Sequence, residues 1–152
     1  MRSRVLLVCA FVFACGLMPA LAQQRGSGIG IIVGEPTGIS AKGWLSSDNA
    51  VDVGLAWSFR KRGHVHIHAD YLWHFPNVIK STERFVLFTG LGGRFGAGRD
   101  DGILGMRLAG GIAWWGRSIP LEVFLELAPI LDLVPATELS ANGGIGIRYY
   151  FP

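Results

Sequence analysis

The residues of this sequence best suited to chemistry are its histidines. His64, His66 and His68 alternate, Asp70 follows at the same spacing, and His74 lies further along. On an extended strand, alternate residues share a face with Cα atoms about 6.5–7 Å apart, so two such imidazoles can bind one zinc ion with a third ligand from a neighbour. A third His in the row stands too far away to join the same ion easily. Ser58 precedes the basic segment Arg60-Lys61-Arg62, and His64 and His66 follow it, so a hairpin there would bring a hydroxyl nucleophile near a general base. Against both readings stands a plainer one, a polar network along one strand face. The sequence favours that reading, so no catalytic residue, cofactor or metal is expected, and His64, His66 and His68 stay as weak metal candidates. Gly90, Gly92, Gly93, Gly96 and Gly98 crowd one segment, but no helix begins there as a phosphate cradle requires. They read as strand glycines that leave room for bulky neighbours.

The element carrying the histidines is a strand. From His64 to Phe75 one face holds Val65, Ile67, Ala69, Tyr71, Trp73 and Phe75, and the other holds the four histidines, Asp70 and Leu72. The preceding run is stricter still. Val51, Val53, Leu55, Trp57 and Phe59 alternate with Ala50, Asp52, Gly54, Ala56 and Ser58, which is period two. Arg60 to Gly63 between these runs suits a polar hairpin loop. Six further segments follow the pattern more loosely: Gly28 to Gly34, Thr37 to Leu45, Arg84 to Phe95, Ile103 to Trp115, Leu121 to Leu131 and Leu139 to Phe151. Eight strands result, an even number that returns both termini to one side. Pro129 cannot donate to a ladder and is expected to mark a bulge or the end of the seventh strand.

Composition narrows what such strands can build. The chain is 152 residues long and half hydrophobic, enough for one domain. Arg2 and Arg4, the apolar stretch Val5 to Leu17 and the small residues of Ala20-Leu21-Ala22 have the layout of a secretory signal peptide cleaved after Ala22. Residues 1–22 are therefore expected to leave, and 23–152 to form the barrel domain. An uncleaved anchor and a lipoprotein site at Cys15 are the weaker alternatives. Cys9 and Cys15 leave with the signal, which removes any disulfide or thiolate metal site. Two of the 14 basic residues also leave, so 12 stand against 11 acidic ones and no basic footprint for nucleic acid remains. No stretch between charges after residue 22 exceeds nine residues, whereas a membrane helix needs about 20. A membrane strand needs only about 9–11, with alternate residues apolar.

The two faces then receive different surroundings. Large residues fill one face throughout, with Trp57, Phe59, Tyr71, Trp73, Phe75 and Phe85 near segment ends, as in the aromatic girdles of membrane barrels. The other face is small and polar. Carrying the period from strand to strand places Lys42, Arg94, Arg107 and Arg148 against Asp52, Asp70, Glu122 and Glu126, four of each sign, a lumen charge network in a closed interior. The expected fold is all-β, an eight-stranded antiparallel transmembrane β-barrel.

The last segment is the most specific motif. Gly144-Ile145-Gly146-Ile147-Arg148-Tyr149-Tyr150-Phe151 resembles the signal by which outer-membrane barrels are passed to the barrel-assembly machinery, with Gly146, Tyr149 and Phe151 as the candidate assembly signal. Glycine at its first position and Pro152 after the final aromatic depart from the usual form. Segments such as Gly34-Glu35-Pro36-Thr37-Gly38 and His68-Ala69-Asp70-Tyr71-Leu72-Trp73-His74 resemble an uncharacterised group of small eight-stranded bacterial outer-membrane proteins, similar in architecture to the OmpA transmembrane domain. The main reading is a monomer in contact with outer-membrane lipid, with a plugged lumen and a structural, adhesive or envelope-stabilising role; the resemblance itself implies the architecture and a place in the bacterial outer membrane. It carries over no catalytic residue. Some barrels of this size modify lipid A with His and Ser, which makes a lipid-modifying enzyme the first rival and a soluble exported ligand-binding barrel the second. Strand parity puts the connections around Glu35, Arg60 to Gly63, Phe95 to Asp101 and Asp132 to Glu138 on the far side from the termini. It leaves Pro76 to Glu83, the longest connection, on the near side.

Overall fold

A sheet whose two faces differ this sharply has to separate two environments, and the chain does so by closing the sheet on itself. A computed structural model describes residues 26–35, 37–58, 64–97 and 102–151. Its strands are β1 (Ser27–Glu35), β2 (Thr37–Trp44), β3 (Asn49–Ser58), β4 (His64–Phe75), β5 (Arg84–Ala97), β6 (Gly102–Trp115), β7 (Leu121–Val134) and β8 (Glu138–Phe151). Each pairs antiparallel with its neighbours in chain order, and β8 returns to pair with β1. The expected strand number, order and sense are all found. Closure leaves no unpaired first or last strand. Ser27 lies opposite Phe151, so the first and last strands meet at one end of the barrel. The proposed signal segment, residues 1–22, and Pro152 lie outside the described residues.

The register also fixes the tilt. From Gly30 the partners run Ser40, Gly54, His68, Arg94, Gly105, Asp132 and Glu138, whereas Gly30 itself pairs with Arg148, ten residues along β8. Such a stagger inclines the strands to the barrel axis. Side chains distant in register can therefore meet across the interior. β5 to β8 have 14 residues each, but β1 and β2 have nine and eight, so the wall is taller on one side. Beyond the Glu35–Gly143 pair, Glu138 to Asn142 pair with β7 alone.

Two local expectations are corrected. Pro129 neither ends β7 nor bulges it. The strand runs through with Ala141 opposite, and the β6–β7 register simply carries no pair at Pro129, where the missing N–H would otherwise break a bond. The irregularity lies instead between Leu104 and Gly105. The second correction concerns the connection expected from Asp132 to Glu138. β7 continues to Val134, and Asp132 sits inside the ladder, buried in the lumen. β5 likewise continues past Phe95 to Ala97.

Alternation assigns the faces as the sequence requires. Trp57, Tyr71, Trp73 and Phe75 project outward, and Phe85 is half-buried; Phe59 lies outside the described residues. Ile29, Ile31, Leu55, Ile67, Leu91, Leu108, Leu125 and Ile147 extend the exposed apolar face around the wall. No described helix is long and apolar enough to cross a membrane, which says nothing of crossing by strands.

Candidate functional site

The interior is a column of buried charges in three layers. Nearest the termini, Glu122 of β7 accepts from Lys42 Nζ of β2 at 2.7 Å, from Arg148 of β8 at 3.1 Å and from the Tyr150 hydroxyl at 2.7 Å. Arg148 also donates to Asp52 of β3 and to Ser40 Oγ, and Ser40 in turn donates to Asp52 at 3.1 Å. The Arg148 guanidinium lies 3.8 Å from the centre of the Phe124 ring. In the middle layer Arg107 of β6 donates Nε to Asp70 of β4 at 2.8 Å and Nη2 to Glu126 of β7. In the far layer Arg94 of β5 holds both oxygens of Asp132, at 2.9 and 2.5 Å, and Ser140 Oγ at 3.0 Å. Each of these charges is at most 5% exposed.

All eight charges expected in the lumen point inward and take part in these contacts. One expectation about them changes: the buried set is not four against four. Asp132 is a fifth carboxylate, and it is the partner of Arg94. Arg107 and Glu126 are not cross-strand neighbours, since the register sets Arg107 across from Ile130 and Glu126 across from Gly111. They meet because the strands are inclined and an arginine can reach along the interior. An ion pair this deep costs much of its attraction in desolvation, so its main consequence is that removing one member leaves an uncompensated charge.

The lumen glycines are explained by space. Gly54 faces His68 across the β3–β4 ladder, and a Cβ on Gly54 would lie 2.2 Å from the imidazole. Gly146 faces Phe124 in the same way, its Cβ falling 2.1 Å from the ring. A large inward side chain thus lies over a glycine on the next strand. Below the first charge layer, Lys42 Nζ sits 4.9 Å from the Trp44 ring and 5.6 Å from that of Trp115. A cavity of about 10 Å³ beside His68, Arg107 and Glu126 is at most the space of a single water.

The histidines are placed as part of this interior. His66 and His68 are buried on the lumen face, and His74 Nδ1 is 3.1 Å from the Asp48 carbonyl. Among the described residues, no three His, Cys, Asp or Glu side chains gather closely enough to hold a metal. The side chains of Ser58 and His64, needed for the nucleophile and base reading, lie outside the described residues. Tyr149 and Phe151 project from the outer face, 48% and 52% exposed, with ring centres 5.2 Å apart edge to face.

A solved structure matches this arrangement, the N-terminal β-barrel domain of Pseudomonas aeruginosa OprF, with a TM-score of 0.63. The likeness is one of fold. The match covers 84% of this chain and 98% of that domain at 15% sequence identity. No family profile matches the sequence, and no curated protein does. The architectural resemblance seen in the sequence is thereby met. The charges, His68 and the outward Tyr149–Phe151 pair rest on this chain's own geometry.

Sequence reasoning missed Asp132, Ser40, Ser140 and Tyr150 as members of the interior. Period two alone would have placed Ser40 with Lys42 and Tyr150 with Arg148. Asp132 was hidden because an aspartate shortly before Pro135 has the composition of a turn.

Proposed function

We propose that the chain is a small outer-membrane β-barrel with a plugged lumen that serves the envelope structurally or adhesively, without catalysing a reaction. In this reading residues 1–22 are a signal peptide, 23–152 are the barrel domain, and the molecule is a monomer surrounded by outer-membrane lipid. The observation that carries it is the arrangement of the wall: large apolar side chains cover the outside, and charged side chains fill the inside as linked ion pairs. A wall of that kind suits hydrocarbon outside and satisfies its polar groups within, which is what a membrane requires of a barrel. A soluble ligand-binding barrel would need a polar exterior and interior space, and the tightness beside His68 argues against it. Gly146, Tyr149 and Phe151 fit a signal for the assembly machinery, because the two aromatics face outward at the end of the last strand.

The test is fractionation of cells expressing the full-length protein, with protease applied to intact and permeabilised cells. The expected result is recovery with the outer membrane, a mature N-terminus at Gln23 and protection of the strands. Recovery in the periplasmic extract would overturn the reading.

A further inference from the structure

The barrel mouth on the side of the termini is flanked by the two connections 76–83 and 116–120, and a cavity of about 980 Å³ lies between them. Its walls include Lys80, Glu83, Arg84, Trp115, Arg117 and Tyr150. Glu83 is already engaged, accepting from Trp114 Nε1 at 3.2 Å and facing Arg117 at 3.3 Å. Arg117 also donates to the Thr82 carbonyl, and the Tyr150 hydroxyl is committed to Glu122. Lys80 and Arg84 are exposed and form no ion pair or side-chain hydrogen bond with a described residue. The indole N–H of Trp115 is buried with no acceptor among the described residues. Two cationic groups therefore border one cavity without acceptors of their own, and the Trp115 side chain forms part of its wall.

Ile119, on the second connection, is 54% exposed and lines the same cavity, so an apolar side chain borders it beside the cations. We propose that this cavity binds a phosphate carried on an apolar body, with the phosphate on Lys80 and Arg84 and the apolar part against the Trp115 ring. Arginine matches the fork of phosphate oxygens, and lysine adds a compact second charge. A phospholipid headgroup and a free phosphorylated metabolite share this chemistry.

Native mass spectrometry of the purified full chain in detergent can separate them, using phosphatidylglycerol, diacylglycerol and glycerol 3-phosphate as probes. The protein should retain phosphatidylglycerol and not diacylglycerol. The double variant Lys80→Gln/Arg84→Gln should bind at least about tenfold more weakly, the loss expected for two charge-assisted contacts. Trp115→Phe should weaken binding less and keep the same circular dichroism melt. Displacement of the lipid by equimolar glycerol 3-phosphate would assign the site to soluble phosphates, and retention against it would assign the site to lipid; either supports the proposal. Equal retention of phosphatidylglycerol and diacylglycerol would overturn it, as would a double variant that binds like the wild type. The measurement needs only a folded barrel, so it stands or falls apart from cellular location.

Discussion

Arg107 joins two carboxylates from two strands, Asp70 on β4 and Glu126 on β7, and this makes the three residues unequal. Arg107→Met leaves two carboxylates uncompensated and should cost about 3–5 kcal/mol, the range for breaking a buried ion pair. Glu126→Leu keeps the Arg107–Asp70 contact and should cost clearly less. The double variant should remain destabilised because Asp70 is still stranded, and adding Asp70→Leu should recover most of the loss. Denaturant titration in detergent measures all four. Full recovery in the double variant would mean that the Asp70 contact contributes nothing. At this scale the sequence was informative wherever period two held, since alternation alone turned Lys42, Asp52, Arg107 and Arg148 inward. It could not reveal which charges meet, because that depends on a stagger set by all eight ladders together. Asp132 stayed hidden for a different reason: its burial depends on β7 continuing past Leu131, and no residue type near Pro135 announces that.

Strand β8 serves packing on one face and presents aromatics on the other, and substitutions can separate the two. Gly146→Ala would drive a methyl into the Phe124 ring and to 2.9 Å from the Ile31 carbonyl oxygen, so its defect should be one of folding and should be relieved only in part by Phe124→Leu. Phe151→Ala removes an outward ring that fills no interior space, so folding into detergent should be nearly unchanged while the amount inserted in cells falls. Quantifying both variants in outer-membrane fractions and in refolding assays distinguishes these outcomes. Unchanged insertion of Phe151→Ala would remove the assembly signal from the reading. The strands themselves were legible because each alternates over most of its length. Their ends were less so: Ala97 and Val134 lie beyond the turn-forming residues that bound the expected segments, and cross-strand pairing extends the ladders past them.

For the whole molecule, parity and closure decide which loops face which compartment and whether anything passes through. The first and last strands meet at one end, and the connection 76–83 lies at that same end although it is the longest between strands. In the proposed orientation that end faces the periplasm. Arg62→Cys should therefore react with a membrane-impermeant thiol reagent on intact cells, and Asn77→Cys should react only after permeabilisation; in each, Cys9 and Cys15 are expected to leave with the proposed signal. Labelling of Asn77→Cys on intact cells would invert the topology. The proposed plug sets a further expectation. An eight-stranded barrel has an interior just wide enough for side chains to fill. Here three layers of paired charges, the Phe124 ring and the rings of Trp44 and Trp115 succeed one another along the axis. An ion would have to displace paired buried groups at every layer, each displacement leaving charges uncompensated. Purified protein in planar bilayers should accordingly show no steady conductance on the order of a nanosiemens, unlike the water-filled lumen of much larger barrels. A stable open level of that size would mean that the layers part together, and the plugged lumen would have to be given up.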